Sequence, residues 1–160
     1  MNDIVIDTNV LLHTNNKENK YYLSANETLK LVIQRDLSLC VDVFFSLTGS
    51  NTSIIGTEYI QHIRTGTIAY AFLLDRLVKG KYVQVNIKKY KNVKLGLTKM
   101  IKKGEIKNRH DLAFVIVAYG SHDKMLVSND YDDFNKENRK YISQTFQVSI
   151  IDSDEYAISS

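Results

Sequence analysis

The chain has 160 residues, 44% hydrophobic and 24% charged, which suits one globular domain with a sizeable core. No apolar run approaches the ~18 residues of a membrane span, and no basic segment followed by an apolar stretch marks a secretory leader. Cys40 is the only cysteine, so an intramolecular disulfide is excluded, the expected setting is reducing and cytoplasmic, and a buried apolar role suits this thiol best.

Residues 3–7 (DIVID) are apolar and β-branched and end at a carboxylate, the pattern of a short buried strand. Residues 10–12 begin a helical turn, and 15–20 (NNKENK) form a polar loop. Ser24, with Glu27 three residues on, has the form of a capping box before a helix over 26–35. Residues 39–45 predict a strand and 48–52 (TGSNT) a turn. Helical segments follow over 58–63 and 67–78, and 81–87 (KYVQVNI) alternates as a strand does.

From Arg76 to Arg109 stand twelve of the chain's 21 basic residues and a single acid, Glu105, in an otherwise acidic protein. That asymmetry suits a polyanion binder, although a solvated helix face has the same composition. Residues 88–107 hold a further helix, with Leu95, Met100 and Ile101 as its apolar contacts. Asn108 is placed to cap a helix over 109–119, closed by Gly120. Strands at 124–128 and 147–151 and a short helical tail complete the chain. Strands and helices alternate without repeat or linker. The expected fold is a three-layer α/β/α sandwich with a central, mostly parallel sheet, one domain over residues 1–160.

Such sheets bind ligands at the carboxyl ends of their strands. Two acids follow predicted strands directly: Asp7 in Asp7-Thr8-Asn9 and Asp130 in Ser128-Asn129-Asp130. Glu58 lies early in a helical segment (TEYIQHI), and Asp111 in the first turn of an apolar helix (NRHDLAFVIVAYG). Singly, each reads as a turn acid or a helix-dipole acid. Converging together, carboxylates repel one another unless a cation compensates them. Hard cations such as Mg²⁺ and Mn²⁺ take oxygen ligands and promote phosphodiester hydrolysis. No His or Cys spacing fits zinc; His13, His62, His110 and His122 are scattered.

These motifs resemble the PIN-domain nucleases. That family carries Asp-Thr-Asn after the first strand, here IVIDTNVLL. A mid-chain helical Glu matches Glu58, and an Asp opening an apolar helix matches Asp111 in HDLAFVIVAYG. A strand ending in Thr or Ser, a variable residue and Asp, then Phe, matches LVSNDYDDF. Ser128 stands where Thr is frequent, and the stretch 21–53 is unlike the family, so Asp42 is a second candidate for the mid-chain acid. The resemblance implies an endoribonuclease using Mg²⁺ or Mn²⁺ on Asp7, Glu58, Asp111 and Asp130. Asn9, Ser128 and Asp132 would hold waters and neighbouring carboxylates behind them. Asp133 reads as a solvated turn acid and Phe134 as core. Lys102, Lys103, Lys107 and Arg109 lead into the Asp111 helix and would hold RNA phosphates; Tyr82 and Tyr90 would either stack on bases or pack in the core. The resemblance also implies a role as a toxin of a toxin–antitoxin pair, with an antitoxin as partner, or as an RNA-processing enzyme, in either case as a homodimer.

Two other readings compete. An inactive PIN module would bind RNA or a protein partner without cutting, but all four acids are present. A haloacid-dehalogenase-like phosphatase needs a second Asp where Asn9 stands, and a dinucleotide-binding module needs a G-x-G-x-x-G that is missing after the first strand.

Overall fold

The computed structural model describes residues 1–159. Five parallel strands form one sheet: β1 (Asp3–Ile6), β2 (Ser38–Asp42), β3 (Tyr82–Val85), β4 (Met125–Val127) and β5 (Ser149–Ile151), in the order β3-β2-β1-β4-β5. Parallel neighbours need crossovers, and helices supply all of them. These are α1 (Thr8–His13), α2 (Tyr22–Gln34), α3 (Ile54–His62), α4 (Ile68–Val78), α5 (Lys91–Lys102), α6 (Asp111–Gly120) and α7 (Lys136–Phe146); α8 (Ser153–Ile158) ends the chain. The chain winds from β1 outward to β3, then returns to lay β4 on the other side of β1. Right-handed crossovers running in opposite directions leave helices on both faces, which is the three-layer sandwich expected. The core strands are buried along most of their length, and α6 is buried from Asp111 to Ala118, because it packs across β1, β2 and β4. Among the described residues no helix is long and apolar enough to cross a membrane.

Several local expectations shift. The helix foreseen over 26–35 begins at Tyr22, where Ser24 donates its hydroxyl to the Tyr21 carbonyl and so does not cap. α3 begins four residues before Glu58, capped by Ser53 accepting from Gly56 N–H. Leu95 is 62% exposed; Val93, Leu97 and Met100 form the buried stripe of α5. α7 has no counterpart in the sequence reading. Asn135 caps it, and Asn138, Ile142 and Phe146 form its buried face, one turn apart. Gly120 serves close packing: a Cβ there would lie 2.5 Å from Val85 and 2.6 Å from Tyr90. Tyr90 packs edge-on against Tyr119, and Tyr82 at a tilt against Phe45, so both rings are half-buried against the margin of the core.

Candidate metal centre

The sheet reverses its winding between β1 and β4, and open α/β sheets form their ligand crevice at such a point. Asp7 leaves β1 there, its N–H donating to the Val127 carbonyl at 2.9 Å. The Asp7 carboxylate accepts from Ser128 Oγ and from Asn9 Nδ2, both at 2.6 Å. Asn9 Oδ1 in turn accepts Asn129 N–H at 2.9 Å. Asn9 and Ser128 therefore hold the Asp7 carboxylate and lock the two strand ends together.

The turn after β4 folds on the Asp130 carboxylate, which accepts the N–H groups of Asp132 and Asp133. This turn points Asp132 out to solvent and Asp133 inward. Asp133 is 3% exposed and accepts Lys107 N–H at 2.9 Å and Asn108 N–H at 2.7 Å. Asp133 is therefore not the solvated turn acid that its sequence context suggests, because the turn wrapped on Asp130 carries it inward. α7 braces the turn from outside. Arg139 donates to the carbonyls of Phe134 and Ser128, and Asn138 to those of Asp133 and Glu105. Arg139 and Asn138 escaped the sequence reading because their helix did; the spacing of Phe134, Ile142 and Phe146 was the signal. Phe134 is core, as expected.

Asp111 opens α6, 6% exposed, with Oδ1 accepting from Asn108 Nδ2. Its N-cap position is held by His110, and Asn108 serves instead as the side-chain partner. Carboxylate oxygens of Asp111, Asp130 and Asp133 lie within 4.8 Å of one another. Asp111 Oδ2 is buried and has no hydrogen-bond partner, and the same is true of Thr8 Oγ1 beside Asp7. A buried, unpaired carboxylate oxygen on a residue this close to other carboxylates is costly unless a proton or a cation satisfies it. Burial, Asp7, proton sharing with Asp133 and the charge of Asp130 push Asp111 up to about 9. Burial and the charge of Asp130 push Asp7 up to about 6, against the lowering effect of Ser128 and Asn9. This buried acidic group could hold a metal ion.

Glu58 stands outside that close group. It is hydrogen-bonded to His110 Nδ1 at 2.9 Å and lies 3.4 Å from His62 Nε2, with His110 next to Asp111 in the chain. Asp42, the other mid-chain candidate, is consumed by the fold: it accepts the Ser53 hydroxyl and the N–H groups of Ile54 (2.7 Å) and Ile55 (3.0 Å), anchoring the start of α3. Asp42→Ala is accordingly expected to cost about 3 kcal/mol in a denaturant melt, through buried donors left unpaired, and to leave metal affinity unchanged.

The remaining candidates sort cleanly. His13 bonds Asn129 and stacks on Tyr21, and His122 contacts Asn2 and Asp123, so neither joins the acids. Cys40 is wholly buried, and burial pushes its thiol far above the usual range, away from nucleophilic chemistry. Lys102, Lys103, Lys107 and Arg109 are all exposed. They lie on the 102–110 segment that Asp133 ties to the acid cluster. Beside the start of α6 a cleft of about 350 Å³ is lined by Ile54, Ile101, Leu112 and Arg109 among others. No family model, curated protein or solved structure matches the chain.

Proposed function

We propose that this protein is a metal-dependent endoribonuclease of the PIN type, hydrolysing RNA phosphodiester bonds at the β1/β4 crevice. The observation that carries this reading is the convergence of Asp111, Asp130 and Asp133, with the charge of Asp7 acting on Asp111, a residue that keeps one buried oxygen without a partner. Asp7, Asp111, Asp130 and Asp133 would hold Mg²⁺ or Mn²⁺, which supplies Lewis-acid stabilisation of the phosphate and a nucleophilic water near neutral pH. Asn9 and Ser128 keep Asp7 aimed at the group through their hydrogen bonds. Glu58, held between His62 and His110, is a positioning residue at the rim, where His110 meets the arriving strand. Lys102, Lys103, Lys107 and Arg109 hold the RNA backbone by charge.

End-labelled single-stranded RNA incubated with the protein in Mn²⁺, Mg²⁺ or EDTA tests the reading. Cleavage is expected with either metal, none with EDTA, and at least a hundredfold loss, roughly, in Asp7→Asn. Tight binding of uncut RNA in every condition would favour a binding module without catalysis.

A further inference from the structure

Phe44 is the most exposed Phe or Tyr ring among the described residues, at 72%, and its backbone is left-handed, with φ of 66°. A bulky side chain pays for that conformation, and an apolar ring pays for contact with water. No other ring among the described residues packs against it. Its backbone is nonetheless held in place: Phe44 N–H donates to Gln84 Oε1 at 2.9 Å, and Val43 N–H to the Val85 carbonyl at 3.2 Å. A strained residue that its surroundings fix is a sign of function.

The position fits a particular use. Ile4 pairs with Leu39, so continuing the register sets Asp7 beside Asp42, and Phe44 follows two residues later. Phe44 therefore lies just past the carboxyl end of β2, the strand beside β1, with its Cα on the order of 10 Å from that of Asp7 by the reach of the chain. β3, which pins it, runs directly into the exposed Lys88, Lys89 and Lys91. The adjoining 46–52 loop is Ser, Thr, Gly and Asn apart from Leu47, so the chain on either side of the exposed ring's turn supplies few apolar partners for it. An exposed ring beside a row of lysines is the arrangement that binds single-stranded nucleic acid, by stacking on a base while cations hold its phosphates.

We propose that Phe44 is a stacking platform for one unpaired base of the RNA strand leading to the acid cluster. The proposal rests on the nuclease reading and narrows its substrate to single-stranded RNA.

The test uses the full chain in EDTA, where RNA stays intact, with fluorescein-labelled oligouridylate titrated by anisotropy. Phe44→Gly is expected to bind about tenfold more weakly, the loss of roughly one stacking contact. Glycine accepts the left-handed backbone, so the melting midpoint is expected within about 2 °C of the wild type. Phe44→Trp gives the chain its only tryptophan, and its emission is expected to be quenched by oligouridylate but not by a duplex of matched length. Equal affinity of Phe44→Gly and wild type, or unquenched emission, overturns the stacking role while leaving the nuclease reading intact. Loss of self-association in Phe44→Gly with RNA affinity retained overturns it in favour of a contact between copies of the chain. A wild type that neither binds nor cuts RNA removes the nuclease reading and this proposal together.

Discussion

Asp111→Asn is expected to abolish metal-dependent RNA cleavage and, in the same protein, to raise the melting midpoint of the metal-free form at neutral pH. The first effect follows from removing a central oxygen ligand, and a loss of at least about 10²–10³-fold is expected. The second follows from the environment of that carboxyl. In the unfolded chain Asp111 is ionised at neutral pH; in the folded, metal-free chain it holds its proton up to about pH 9. Folding at pH 7 therefore carries the cost of protonating it, which asparagine avoids because it has the same shape and no charge. The gain is roughly 4 kcal/mol at pH 7, and it vanishes below about pH 3.8, where the unfolded carboxyl is protonated as well. Cleavage rates and thermal melts in EDTA check the two halves separately. An Asp111→Asn protein less stable than the wild type at pH 7 would show that the carboxyl is structural and not part of a repulsive cluster.

The second large effect is a stability that runs against the ordinary direction for paired carboxylates. Asp7 and Asp111 both have raised proton affinity in the folded state. Between the unfolded value near 3.8 and the folded values, the native protein binds more protons than the unfolded chain, so its stability falls as pH rises. Asp7 alone contributes on the order of 3 kcal/mol to that fall, complete by about pH 6, and Asp111 extends it to about pH 9. A divalent cation replaces the protons and reverses the loss. Scanning melts with Mn²⁺ or EDTA are expected to show a metal-induced rise that is larger at about pH 8 than at about pH 5. A rise independent of pH, or one that persists in Asp111→Asn, would place the metal elsewhere.

The fold was largely legible in the chain because its strands are short apolar runs that end at turn signals, such as DIVID and KMLVS, and its most apolar helix is marked at both ends by Asp111 and Gly120. α7 was missed because its mean character is polar and its buried positions are few. The start of α3 at Ile54 carries one local signal, the Ser53 cap, but its other free N–H groups are satisfied by Asp42, twelve residues before Ile54, and no local motif records those bonds. For the site, Asp7, Asp111 and Asp130 could be named from motifs at strand and helix ends. Asp132 and Asp133 are adjacent and chemically alike, and only the turn wrapped on the Asp130 carboxylate decides which faces inward.

The sequence by itself determined the alternation of strands and helices, the crossover topology that alternation demands, and the placement of acids at chain reversals, since all of these follow from local hydrophobic patterning and turn chemistry. The tertiary structure alone decided what those acids become. Strand order brought Asp7 and Asp130 together across the β1/β4 junction, although 123 positions separate them in the chain. It assigned Asp42 to a helix start and Glu58 to two histidines, and it left one oxygen of Asp111 buried without a donor. Burial and mutual repulsion are properties of groups from distant segments sharing one low-dielectric volume, and no window along the chain contains them.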